Sequence, residues 1–256
     1  MSKRAPGPKG VSGSNEDQAG TLKDAWGSPV ALVNRIDARF EITGDMCAAT
    51  NQHLYDECRR KGSEDSPQAD LFGRDPAVVV LGDTAIRPNG RRVPWCGPGH
   101  PNEEMRDALT SDLSALGARP YCNPTYSNIG PFADRMVDYV MDDPERWGFL
   151  LVKSAHATAW FSRVHRWASA MWTFSKRLAH LQQRFDGLAR IHVGGSNIES
   201  TLLIFSGRGP DVLGPRYGVL DGDTFEPVTK EGRDLWRCMG PKTMEWDKPT
   251  KRPLLP

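Results

Sequence analysis

The 256-residue chain has no Cys-x-x-Cys pair, no long apolar run, no glycine-rich phosphate loop and almost no net charge. Each absence removes a class of protein. Its five cysteines, at 47, 58, 96, 122 and 238, are odd in number and widely spaced, which indicates neither a disulfide framework nor a zinc site. No metal is expected, and a reducing, cytoplasmic compartment fits best. Without roughly 18 consecutive apolar residues no membrane-spanning helix is predicted, and the N-terminus lacks the apolar core of a signal peptide. A soluble protein with no membrane partner is the expectation. Thirty-three basic residues offset 32 acidic ones to a formal charge of +1, so any surface for a polyanion must be local. Gly194-Gly195 is too sparse for a phosphate loop, and no Walker or dinucleotide glycine fingerprint exists. Internal repeats and coiled-coil heptads are missing too.

What is present alternates between helix and strand. Residues 1–21 hold too little apolar surface to offset ordering entropy and read as a flexible arm. Ser28 suits an N-cap and Pro29 a first helical position, and Leu32, Val33, Ile36 and Phe40 recur at helical spacing. A short strand from Phe40 to Ala48 follows, with Asp45 near its end. A carboxylate there can meet a ligand's polar group or cap a turn. The charged stretch 56–66 reads as a loop, and the β-branched run 77–82 as a buried strand. Asn89-Gly90 predicts a hairpin turn, bracketed by Arg87, Arg91 and Arg92 with Trp95 near its base. That basic, aromatic hairpin suits a nucleic-acid backbone or a solvated turn. A helix is expected from Pro101 through Leu116 and another beyond Pro131. Strands are expected at 147–153, 172–181 and 200–205, with a helix from Thr158 between the first two. From Gly207 onward proline, glycine and charge dominate, which predicts an appendage over 207–256. The pattern predicts an α/β sheet covered by helices on both faces.

The most distinctive stretch is Asn123-Pro124-Thr125-Tyr126, where an extended run ends in a rigid turn before a helix. Asn123 offers an amide oxygen to an amine, Pro124 leaves a carbonyl beside it, and Tyr126 brings an aromatic face. These groups suit the grip of a planar base through its exocyclic amine.

Trp26-x-Ser-Pro29, Asp45-Met-Cys-Ala48 and Cys122-Asn-Pro-Thr-Tyr-Ser-Asn-Ile-Gly-Pro131, in that order, resemble the phage-type DNA N6-adenine methyltransferases. Leu150-Leu-Val-Lys153, Thr158-x-Trp-Phe161, Phe174-Ser-Lys-Arg-Leu178 and Ser200-Thr-Leu-Leu-Ile-Phe205 agree with that resemblance. It covers roughly residues 25–205, with an insertion at about 56–117. It implies a Rossmann-like S-adenosylmethionine-dependent methyltransferase domain over 22–206, with a mostly parallel sheet. It also implies methyl transfer to adenine in DNA, in the cytoplasm of the host if the chain is phage-encoded. Trp26, Pro29, Asp45, Cys47 and Ala48 carry over as cofactor contacts, and Asn123, Pro124 and Tyr126 as the catalytic, base-binding turn. Arg87, Arg91, Arg92, Trp95 and Lys153 are the candidate DNA contacts. The chain departs from the family at Ser28, where threonine is usual, and at Thr125, where a second proline is usual. Methylation of cytosine or a glutamine side chain remains open beside adenine, as does a DNA-binding member with weakened catalysis. An Asn-Pro-x-Tyr peptide signal for adaptor domains fits less well, since such signals lie in disordered tails of membrane proteins.

Overall fold

The computed structural model describes residues 27–48, 79–81, 84–86, 91–178, 184–186, 189–191, 199–210 and 214–239. The expected N-terminal arm, Trp26, the 56–66 loop, Arg87, the Asn89-Gly90 turn and Gly194-Gly195 lie outside them. In chain order the elements are helix α1 (Val30–Phe40), strands β1 (Gly44–Asp45), β2 (Val79–Leu81), β3 (Thr84–Ile86), β4 (Arg92–Pro94) and β5 (Pro120–Cys122), then α2 (Ile129–Met141) and β6 (Trp147–Lys153). There follow α3 (Ala159–His165), β7 (Ala170–Phe174), β8 (Arg184–Asp186), β9 (Ala189–Ile191), β10 (Ser200–Ser206), β11 (Arg216–Leu220) and α4 (Lys230–Cys238).

Six strands form the main sheet in the order β1-β5-β6-β10-β7-β11. Only β10 is reversed, pairing antiparallel with β6 and β7, while the other neighbours pair in parallel. Strands β6 and β10 are its centre because both are apolar along their length and can be covered on both sides. Alternation then sorts their side chains. Phe149, Leu151, Leu202 and Ile204 pack with Leu32, Ile36 and Phe40 of α1 and Trp236 of α4. Leu150, Val152, Leu203 and Phe205 pack with Met136 and Val140 of α2 and Phe161 and Val164 of α3. The result is a mixed α/β fold, a mostly parallel sheet between two helical layers, compatible with a Rossmann-like fold. β2, β3 and β4 make a separate antiparallel sheet, and β8 and β9 a two-stranded ribbon.

Three expectations need correction. No α-helix forms between Pro101 and Leu116. Two 3-10 turns, Glu103–Met105 and Leu113–Leu116, stand there instead. Short polar side chains take the backbone groups a helix would use. Asn102, Asp107 and Asp112 each accept the N–H two residues on, and Ser111 Oγ donates to the carbonyls of Glu104 and Asp107. Gly117, with φ +72°, ends the second turn. The 172–181 strand runs instead from Ala170 to Phe174. Finally, residues 214–239 are no appendage. β11 extends the sheet beside β7, and Trp236 of α4 packs edge-on against Phe40 and Trp172, with ring centroids at 5.4 and 5.0 Å.

Candidate functional site

Strands β1 and β5 lie side by side in parallel, with Asp45 opposite Tyr121. Their C-terminal ends therefore open at the same edge of the sheet, where ligands bind in open α/β folds. Asp45 is buried, and its Oδ1 accepts the Cys47 N–H at 3.0 Å. Its carbonyl accepts the Cys96 N–H at 2.8 Å, and the Met46 N–H donates to the Tyr121 carbonyl at 2.8 Å. The backbone around Asp45 is thus tied to its neighbours on both sides, and one carboxylate oxygen closes the local turn.

Asn123 follows β5 directly. Its Nδ2 donates to Ser28 Oγ at 3.0 Å, and Ser28 Oγ lies 2.6 Å from the Tyr121 hydroxyl. Ser28 was expected to cap α1. The helix instead starts at Val30 with Pro29, which has no side-chain acceptor, at the N-cap, and the Ser28 hydroxyl is turned toward β5. Tyr121 and Asn123 can share this partner because residues two apart in a strand project to the same side. That spacing was visible in Pro120-Tyr-Cys-Asn123, but the part Ser28 plays from 95 positions away was not.

Pro124 is buried, Thr125 is exposed, and the Thr125 carbonyl accepts the Asn128 N–H at 3.1 Å. Tyr126 is only 6% exposed and packs in the α2–α3 core. Burial pushes its phenol well up, and a hydrogen bond with Ser200 partly offsets that. The faces of its ring are covered, so the stacking surface expected at this position is not presented in this arrangement.

Beside the turn, Cys47 Sγ and Cys122 Sγ approach to 2.9 Å. Both thiols are raised, first by burial. Their hydrogen bond raises Cys47 further and opposes the rise at Cys122. Pro29 and Ala48 are buried close to Ser28 and Cys47 in sequence.

The expected DNA contacts separate. Trp95 is fully buried, 4.6 Å from the His100 ring and packed with Ala48, Ala85 and Val93, so it is core and not a stacking surface. Arg91 is committed to α1 and the segment after it, through Asp37 Oδ1 at 3.1 Å and the Ile42 carbonyl. Arg92 is exposed on β4, and Lys153 is half-buried at the end of β6, beside Ser200. Among the described residues no three His, Cys, Asp or Glu side chains gather as a metal site, and no helix is long and apolar enough to cross a membrane.

No family model and no curated protein matches the chain. Among solved structures, the Type IIL restriction-modification enzyme MmeI in complex with DNA is similar over 48% of this chain, with 8% identity and a TM-score of 0.31. The matched part spans 20% of that longer chain. A likeness of that size carries no argument about what this chain does.

Proposed function

We propose that this protein transfers a methyl group from S-adenosylmethionine to the exocyclic amine of adenine in DNA. The observation that carries the reading is the placement of Asn123-Pro124-Thr125-Tyr126 at the C-terminal end of β5, beside the β1 end that bears Asp45. The donor set fits the cofactor: an anionic oxygen at Asp45 suits a ligand rich in amine and hydroxyl donors. Pro29, Asp45, Cys47 and Ala48 would hold it. The bound cofactor supplies an electrophilic methyl group.

The chain's own residues do the rest. An adenine amine is a weak nucleophile because its lone pair is delocalised into the ring. Hydrogen bonds from that amine to Asn123 Oδ1 and the Pro124 carbonyl favour a pyramidal nitrogen with a more available lone pair. The methylated nitrogen sheds one proton along its hydrogen bond to Asn123 Oδ1 or the Pro124 carbonyl and on to water, so positioning matters more than a general base. A base inside a duplex cannot reach such a turn and must be flipped, at about a few kcal/mol. Tyr126 braces the turn from within the core, and stacking of the base on its ring requires the turn to move. Arg92 and Lys153 remain candidates for phosphate contact. The reading also draws on the motif resemblance, and the loss of the second proline at Thr125 predicts a slower enzyme than one with a Pro-Pro turn.

Incubation with labelled S-adenosylmethionine and unmodified DNA, followed by hydrolysis and identification of the modified base, tests the proposal. N6-methyladenine is expected, with loss of labelling in Asn123→Ala. N4-methylcytosine would move the reading to another amine. No label in DNA at any enzyme concentration would overturn it.

A further inference from the structure

We infer that Ser28 and Tyr121 are positioning residues that set the plane of the Asn123 amide. This rests on the reading of Asn123 as the group that grips the substrate amine. Asn123 sits just past the end of a three-residue strand and leads into a turn whose next side chain but one, Thr125, is exposed. An amide there rotates about its side-chain torsions unless something holds it, and a terminal amide torsion is broad by nature. The Ser28 hydroxyl supplies the hold, at 3.0 Å from Nδ2. Ser28 is held in turn at 2.6 Å by Tyr121, the residue two before Asn123 on the same strand.

All three groups belong to a connected chain, hydroxyl to hydroxyl to amide, whose two hydroxyl-bearing residues are buried. Water therefore competes poorly for these bonds, and the low local polarity strengthens them. The Tyr121 ring is locked between α1 and the sheet, with Ile36, Phe40 and Phe149 in the same core cluster. The relay thus transmits the rigidity of the core to the first residue of the reactive turn. Because Pro29 and not Ser28 stands at the N-cap of α1, the Ser28 hydroxyl is not used by the helix and serves across the sheet edge. Threonine at position 28 keeps the hydroxyl, and alanine removes it.

Two readouts test this. The first is the exchange of the Asn123 side-chain amide protons with water, followed by NMR in the full chain. Exchange is expected to quicken at least tenfold in Ser28→Ala, to return near the parent value in Ser28→Thr, and to quicken by a smaller factor in Tyr121→Phe, which keeps the ring packing. The second is methyl transfer to DNA. In Ser28→Ala, kcat is expected to fall at least tenfold with KM for cofactor and DNA within about twofold of the parent, and Ser28→Thr is expected to recover it. Unchanged exchange in both Ser28→Ala and Tyr121→Phe would overturn the inference, as would faster exchange with an unaltered kcat. If the parent labels no DNA but exchange responds as stated, the hold on the amide stands and the methyl-transfer reading falls.

Discussion

Thr125 is the residue at which the turn after β5 is least constrained. It is exposed between the buried Pro124 and Tyr126, and the visible closure of the turn is the bond from the Asn128 N–H to its carbonyl. A proline at this position removes one N–H, fixes one φ and restricts Pro124 before it. It also narrows the unfolded ensemble, worth about 0.4–1 kcal/mol where the native backbone suits it. Thr125→Pro is therefore expected to raise the methyl-transfer rate and to leave the melting temperature equal or higher. Rates with labelled cofactor and a thermal melt measure both, and a slower proline form would contradict the account. Asn123→Ala is expected to cut transfer by on the order of 100-fold, the scale on which one preorganised polar contact acts. Its stability should change by about 1 kcal/mol or less, because the side chain closes no core.

Between elements, the arginines of the small antiparallel sheet divide by partner rather than by charge. Arg91 ties β4 to α1 through Asp37, whose side chain is 1% exposed. Arg91→Ala removes the guanidinium 3.1 Å from that buried carboxylate. The cost is expected at roughly 1–3 kcal/mol, less than for a fully buried pair because 40% of the Arg91 side chain is exposed. Arg92→Ala should leave stability within about 0.5 kcal/mol and, with Lys153→Ala, weaken DNA affinity and flatten its salt dependence. An Arg91→Ala variant of parental stability, or an Arg92 and Lys153 double variant with parental salt slope, would refute this division. The sequence made all three arginines look alike, since position and charge do not reveal a partner 54 residues away. The turn that follows β5 at Asn123-Pro124 and the core strands β6 and β10 were legible, because local residue type decides them. Trp95 was not: an aromatic beside arginines reads as exposed until the packing of Ala48, Ala85 and Val93 around it is known.

For the whole molecule, the sheet extends further than composition suggested. β11 (Arg-Tyr-Gly-Val-Leu) and α4 (Lys-Glu-Gly-Arg-Asp-Leu-Trp-Arg-Cys) each carry few apolar residues, so a turn-rich tail was the natural reading. A few buried side chains decide otherwise, Leu220, Phe225, Trp236 and Met239, and Trp236→Ala is expected to cost about 3–5 kcal/mol by emptying the space between Phe40 and Trp172. The core on the opposite face of the sheet, which holds Cys96 and Cys122 with Cys47 packed against it, makes stability fall on the alkaline side. Burial raises the thiols of Cys47, Cys96 and Cys122, and Cys96 is raised from 9.0 to about 11. A thiol raised in the folded state keeps its proton while the unfolded chain releases it. Its contribution is therefore complete below pH 9 and is lost as pH climbs toward 11. At about 1.4 kcal/mol per pH unit, the rise from 9.0 to about 11 makes Cys96 alone account for roughly 3 kcal/mol. Denaturant melts under reducing conditions should give a constant unfolding free energy from pH 7 to about 8.5 and a steady decline above it. Cys96→Ala should start lower, because it opens a cavity beside Met105, yet decline less steeply. A flat profile for the parent between pH 9 and 10.5, or an equal slope in the variant, would mean that the folded thiols titrate as they do in the open chain.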